Sequence, residues 1–387
     1  MTRMMQVGQT SPRIDVAISR PDRAGSSDQS AVIRKMAAEY LESVNSIHSF
    51  EDRCYRIGED RIQVRYCDPK LASLLHRSLA HLECDSGEKP SLTIHAISRA
   101  VPPLALAADD WFSSAVRWKS REMSEHEPFM LYVPGNGGRF DLMLADEHQA
   151  VACFRDPDLI PAWDMATPFR DILHAWFRLR GGHILHGAVV ADGKHAVMLA
   201  GAGGSGKSSS AMACLRHSDL HFLGDDVTLI RDGDRGKRLV HSLYNTAKLL
   251  PHDCERFAGR LSQLDDSGRS DGKPTFYTYP DFGDRVAKTR ILVGFLLVRP
   301  HQAEHAVVSP ASPGDTWRAI APSTMSLLPV DAGGIKWLGN LAASLPACWL
   351  DVGSRREDIP VVIAAALNRL QARDATPAGA GAAKPAP

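Results

Sequence analysis

The chain has 387 residues, 44% of them apolar and 23% charged, enough to bury the cores of two domains of about 100–200 residues each. Lys+Arg and Asp+Glu both number 45, so the formal charge is zero and the basic excess of a dedicated nucleic-acid binder is absent. The seven cysteines show neither C-x-x-C pairs nor zinc-site spacing, no apolar signal core follows Met1, and the longest apolar runs are too short for a membrane span. Together these features are those of a reduced, cytoplasmic protein.

In chain order, residues 1–30 are polar and aperiodic and read as a disordered lead. Val32, Ile33, Met36, Ala37, Tyr40 and Leu41 then recur at helical spacing. Residues 61–66 and 91–97 alternate polar and apolar, the period of half-buried strands, with a helix expected over 69–82. Residues 129–133 and 140–144 flank a glycine turn as a hairpin, and 149–154 adds a strand. Residues 31–160 thus form a smaller α+β N-terminal domain without a catalytic constellation.

The second domain is expected over 161–371. Thr167 followed by Pro168 predicts an N-cap and a first helical turn, with the helix running to Arg180. Residues 183–190 read as one apolar strand, and Asp192 with Gly193 turns it back into its partner, 195–200. Residues 221–230 read as strand, acidic pair, strand, followed by a strand over 238–243. A mobile polar loop is expected over 262–274, a buried strand over 289–299 and helices over 312–328 and 333–345. A strand over 348–352 and a helix over 359–370 close the domain. The hairpins favour a mixed sheet. Residues 372–387 are Ala/Pro-rich and read as a disordered tail.

Between the strand at 195–200 and a helix from Lys207 lies the run GAGGSGKS at 201–208. It fits G-x-x-x-x-G-K-[ST] and stands in the strand–loop–helix setting that the motif requires. Gly201, Ala202, Gly203, Gly204, Ser205 and Gly206 bring backbone N–H groups against phosphate oxygens. Lys207 reaches the β/γ-phosphates of ATP, Ser208 offers its hydroxyl to Mg²⁺, and Ser209 continues into the helix. Asp225 and Asp226 follow Lys207 by about 18 residues, where an acidic strand end serves phosphoryl transfer. One of the two can take a hydroxyl proton while the other holds Mg²⁺ or its water beside Ser208; Asp226 is the metal-side candidate, but the residues alone leave open which carboxylate does which. Taken alone, such a pair also makes a turn. His186 stands on the strand expected beside the one entering the loop, and a plain strand histidine fits there equally well. Lys248, Lys273, Arg285, Lys288 and Arg290 are candidates to offset transition-state charge, with a solvated surface role as the default for each.

The runs HGAVV at 186–190, GAGGSGKS at 201–208 and GDDV at 224–227 resemble the catalytic core of bacterial HPr serine kinase/phosphorylase. More closely, the chain resembles the HPr-kinase-like serine kinases of lasso-peptide-type biosynthetic clusters. The runs SLYNTAKL at 242–249 and APSTMSLLP at 321–329 strengthen that likeness. It covers about residues 165–365. It implies an α/β P-loop kinase domain of the HPr kinase/phosphoenolpyruvate carboxykinase type with a mixed sheet. It implies ATP and Mg²⁺ as cofactors, base work by Asp225 supported by Asp226 and His186, and a precursor peptide or small protein with an acceptor serine as substrate. Homo-oligomers are part of the same implication. The Glu-containing glycine-rich segment that follows the acidic pair in HPr enzymes has no match, so neither dephosphorylation nor HPr as substrate is implied. A small-molecule kinase and a non-catalytic ATP-binding regulator are the alternatives.

Overall fold

The computed structural model describes residues 26–98, 129–132, 138–249, 254, 262–263 and 274–374. The lead up to residue 25, most of the glycine turn, most of the polar loop (Lys273 included) and the tail from 375 lie outside the described residues.

Helix α1 (Ser26–Asn45) begins five residues before its predicted start and takes up the end of the expected lead. Strands β1 (Glu51–Ile57), β2 (Asp60–Tyr66), β3 (Leu92–Ser98), β4 (Phe129–Tyr132), β5 (Arg139–Leu144) and β6 (Gln149–Phe154) follow. They form one six-stranded sheet in the order β1-β2-β3-β6-β5-β4. It is parallel at β2–β3 and β3–β6 and antiparallel elsewhere. The period-2 pattern decides which face is covered by what. Phe140, Leu142 and Leu144 pack under Tyr40, Leu41 and Val44 of α1. Ile62, Val64 and Tyr66 join the opposite core with Leu71, Leu75 and Leu79 of α2 (Pro69–Leu79). Helix α2 starts where the Asp68 carboxylate accepts from the amides of Lys70 and Leu71, ahead of a proline in the first turn.

Two short helices join the halves, α3 (Ala162–Ala166) and α4 (Arg170–Leu179). The predicted cap at Thr167 is not observed. Thr167 instead closes α3, its amide and hydroxyl both donating to the Trp163 carbonyl, and Phe169 in a left-handed conformation (φ 58°) precedes α4. A Ser/Thr hydroxyl satisfies a helix C-terminal carbonyl as readily as an N-terminal amide, so the local sequence does not separate the two uses.

The second half contains β7 (Gly182–His186), β8 (Ala188–Ala191), β9 (His195–Ala200), α5 (Lys207–His217), β10 (His221–Gly224), β11 (Val227–Asp232) and β12 (Arg238–His241). A small three-stranded sheet of β13 (Thr246–Lys248), β14 (Ser262–Gln263) and β15 (Thr275–Tyr277) comes next. Then follow β16 (Thr289–Pro300), β17 (Val307–Ala311), α6 (Pro313–Leu327), α7 (Ala332–Ser344), β18 (Ala347–Val352) and α8 (Asp358–Asp374). The large sheet runs β10-β8-β9-β16-β12-β11-β7, with β18 beside β16 and β17 beside β18. It is mixed, since β9 and β18 run parallel to β16 while the hairpin β8–β9 is antiparallel. Helices cover both faces. Val197 and Leu199 of β9 face α5 and α8, whereas Ala196, Met198 and Ala200 face α6 and α7.

Consecutive strands β7 and β8 stand at opposite ends of that order, and so do β10 and β11. The chain therefore crosses between the two sheet ends twice, once at Gly187 and once at Asp225–Asp226. The crossings lie side by side, because Gly187 N donates to Asp226 O at 3.0 Å. A β-carbon at Gly187 would meet Met198 Cε at 2.6 Å and the Leu199 carbonyl at 2.8 Å, so no side chain fits that crossing. The expected single strand over 183–190 is thus two strands with different partners. The halves interlock through buried polar bonds. His81 Nε2 pairs with Ser242 Oγ at 2.7 Å, Asn245 Nδ2 donates to the carbonyls of Arg77 and Ser78, and Tyr244 OH donates to Pro168 O at 2.8 Å. Among the described residues no helix is long and apolar enough to cross a membrane.

Candidate active site

Strand β9 delivers the chain into the glycine loop, which turns directly into α5. Gly201 (φ 147°), Gly204 (φ 78°) and Gly206 (φ 103°) hold left-handed conformations, and a β-carbon at Gly201 would meet the Val298 carbonyl at 2.6 Å. Gly206 gives α5 no side-chain cap, so the first-turn amides of this 11-residue helix are satisfied by no cap side chain. An anion at that end completes them and meets the positive end of the helix dipole. Lys207 is 7% exposed and folds back over the loop, donating from Nζ to the carbonyls of Gly201 at 2.9 Å and Ala202 at 3.1 Å.

The loop opens into a cavity of ≈ 220 Å³. Gly203, Gly204, Ser205, Gly206, Lys207, Ser208 and Ser209 line it. His186, Asp226, Val227 and Lys248 line it as well, as do Trp163, Thr167, Arg170 and Leu327. Gly201 and Ala202 are not on the wall and serve through their carbonyls on Lys207.

The two adjacent carboxylates occupy different seats. Asp225 is 2% exposed and lies behind Ser208, accepting from Ser208 Oγ at 2.9 Å and from the Lys248 amide at 3.1 Å. Burial, reinforced by the neighbouring Asp226 charge, pushes its carboxyl up to about 6. Asp226 stands on the cavity wall with Lys248 Nζ 2.8 Å from its Oδ2. Burial works against its charge, but the Lys248 ammonium, its hydrogen bond and the nearby His186 and Lys207 outweigh this and hold the carboxyl below the usual range. Asp226 also carries a positive φ of 65°, and the Val227 amide donates across it to Asp225 O at 2.8 Å. A non-glycine residue held in a three-residue turn of that hand stores strain, which concentrates where a side chain must be aimed. Base work is expected of Asp225 from the sequence, whereas the carboxylate facing the cavity is that of Asp226.

His186 reaches the cavity from β7, where it pairs in register with Val227 and its amide donates to Thr324 Oγ1 at 3.1 Å. It sits beside β11, not beside β9 as the sequence suggests. Of the cation candidates, Lys248 alone is on the cavity wall among the described residues. Arg285 instead donates to the carbonyls of Ser218 and Leu220 (2.7 Å) beyond the C-terminus of α5, and Arg290 to those of Asp192 and Thr289. Lys288 is not on the wall. Trp163, Thr167, Arg170 and Leu327 escape sequence reasoning, since a lone arginine opening a helix matches no motif.

Mg²⁺ fits this donor set. Among the described residues no group of three or more His, Cys, Asp or Glu is arranged to hold a metal ion. Mg²⁺ held largely by nucleotide phosphates needs only one or two carboxylates and a hydroxyl, all hard oxygen donors. The Ser208–Asp225 pair, with Asp226 beside it, supplies them.

No family model matches the chain, and no curated protein matches it. Among solved structures, the Hpr(Ser) kinase/phosphatase from Coxiella burnetii is similar over 49% of this chain and 99% of its own, at 11% identity and a TM-score of 0.30. A score that low carries no functional argument, so the chemistry of the site rests on this chain's own residues.

Proposed function

We propose that the chain is an ATP- and Mg²⁺-dependent cytoplasmic kinase that moves the γ-phosphoryl group to a serine hydroxyl of a peptide or small protein, a precursor peptide in the first instance. One observation carries the reading. A glycine loop leading into a helix with no capping side chain and the Asp226 carboxylate line a single cavity, with Asp225 hydrogen-bonded to the lining Ser208. Phosphoryl transfer needs positioned phosphates, charge stabilisation and an oriented nucleophile, and little covalent help.

The amides of the loop and of the first turn of α5 bind the β- and γ-phosphates, with Lys207 supplying positive charge. Bound Mg²⁺ spreads the charge of the phosphates. Ser208, hydrogen-bonded to Asp225, would hold the ion. Asp226 is ionised at neutral pH, accepts the hydrogen bond of the acceptor hydroxyl and takes its proton as transfer proceeds. Lys248 fixes that carboxylate, and His186, which lines the same cavity, relays the proton onward. The peptide or small-protein acceptor is supported by the resemblance of 165–365 and by the half-open rim at Trp163, which is 43% exposed.

The test is incubation with γ-labelled ATP and a library of serine peptides, followed by mass spectrometry. Wild-type protein adds one phosphate to a serine, and Lys207→Ala adds none. Label on a small alcohol alone would replace the acceptor. MgATP binding with no transfer to any acceptor would leave the chain a nucleotide-binding regulator.

A further inference from the structure

We infer that Arg170, which lines this cavity together with the glycine loop, is a further catalytic residue, its guanidinium contacting the transferring γ-phosphoryl group. The inference rests on the kinase reading and adds a residue that no motif marks.

The backbone under Arg170 is fixed from both sides. Phe169 is 1% exposed and left-handed, Tyr244 OH holds the Pro168 carbonyl, and the Asp171 carboxylate lies 2.7 Å from Arg139 Nη2. The side chain is far less committed. Among the described residues its closest carboxylate is Asp171 Oδ2 at 3.7 Å, an oxygen already taken by Arg139, and its buried Nε makes no hydrogen bond. Arg139 meets Asp141, Asp164 and Asp171 at 3.0, 2.6 and 2.7 Å, so three carboxylates share one guanidinium. Even with the Asp141 proton on, the Asp164 and Asp171 carboxylates exceed the one Arg139 charge, and Arg170 is the second cation beside them without being consumed by a close pair.

The other cavity cations are engaged. Lys207 Nζ is bonded to two loop carbonyls, and Lys248 Nζ is paired with Asp226. During transfer the bond from phosphorus to the acceptor oxygen forms as the bond to the β–γ bridging oxygen breaks. The hydroxyl proton passes to Asp226, ADP leaves, and charge spreads over the three equatorial oxygens. A planar guanidinium with several N–H donors matches two of those oxygens at once and keeps its own proton throughout.

The experiment uses the full chain with Arg170→Gln and Arg170→Lys. MgATP and MgADP affinities are measured by calorimetry and transfer by single turnover. Arg170→Gln is expected to leave MgADP affinity within about threefold while slowing transfer by roughly 10²–10³-fold, with Arg170→Lys between it and wild type. Added guanidinium at millimolar concentration restores part of the Arg170→Gln rate. A wild-type rate, a parallel loss of MgADP binding, or a raised acceptor KM at unchanged kcat overturns the role of Arg170. If Arg170→Gln does not fold, the rate of Arg170→Lys decides. Failure of wild-type protein to bind MgATP overturns the kinase reading itself, a different outcome.

Discussion

Ser208 Oγ donates to Asp225 Oδ1 at 2.9 Å, joining the glycine loop to an acidic pair 17 residues further on. In the proposed kinase the bond makes the hydroxyl and the buried carboxylate one unit on the metal side. Ser208→Ala and Asp225→Asn are therefore expected to raise the Mg²⁺ concentration needed for half-maximal transfer, by about tenfold or more. A magnesium titration of the transfer rate checks this. Lowered rates with an unchanged magnesium midpoint would remove Asp225 from the metal side.

Lys248 holds the Asp226 carboxyl low through a 2.8 Å ion pair. Lys248→Met removes that charge and keeps the backbone bond to Asp225. The Asp226 carboxyl then rises, so the ionised form needed to accept the hydroxyl proton is lost at a higher pH. The acid limb of kcat/KM against pH moves upward. An acid limb that stays in place shows that a group other than Asp226 controls it.

Asp141 is fully buried beside Arg139, and burial, partly offset by that guanidinium, lifts its carboxyl to about 7. A folded-state value above the unfolded one favours the fold while the proton is on, and this contribution is lost as pH rises from about 4 through 7. Asp141→Asn imitates the protonated form. It is expected to raise the melting temperature at pH 8 by a few degrees, with the gain shrinking toward pH 5. An equal gain at both values would place the effect in packing instead of charge.

Gly187 lets the first chain crossing pass against Met198 and Leu199. Gly187→Ala forces a methyl group into contacts of 2.6 and 2.8 Å and is expected to cost about 2 kcal/mol of stability. Because Gly187 N holds Asp226 O, nucleotide-dependent transfer falls as well. Denaturant unfolding and single-turnover rates measure the two effects, and an unchanged midpoint contradicts the packing argument.

The glycine loop was legible because its determinants are local. Strand, glycines, lysine and helix follow one another within a short stretch, and the structure keeps them in that order. The mixed sheet was legible from Asp192–Gly193 for the same reason. The seat of His186 was not, since an apolar run broken by one glycine reads as a single strand until its partners are known. Those partners are β11 for His186 and β9 for Ala188. The roles of Asp225 and Asp226 were not separable either. Alternation along an extended strand says that neighbours point apart but not which way; the structure buries Asp225 against Ser208 and puts Asp226, at a positive φ, on the cavity lining. Arg285 and Arg290 carried the right charge at plausible spacing and were captured by backbone carbonyls. Arg170 and Trp163 reach the cavity because α3 and α4 are tied to the first sheet through Arg139, a tertiary arrangement with no local sequence mark.

The central claim is that this cavity holds ATP and hands its γ-phosphoryl group to a hydroxyl under the Asp226 carboxylate. Single-turnover transfer from γ-labelled MgATP by wild type, Lys207→Ala and Asp226→Asn tests it most directly, with nucleotide affinity measured on the same samples. Wild type is predicted to label a serine hydroxyl, Asp226→Asn to bind MgATP and transfer at least about 10²-fold more slowly, and Lys207→Ala to lose transfer altogether. Near-wild-type transfer by either variant would contradict the account.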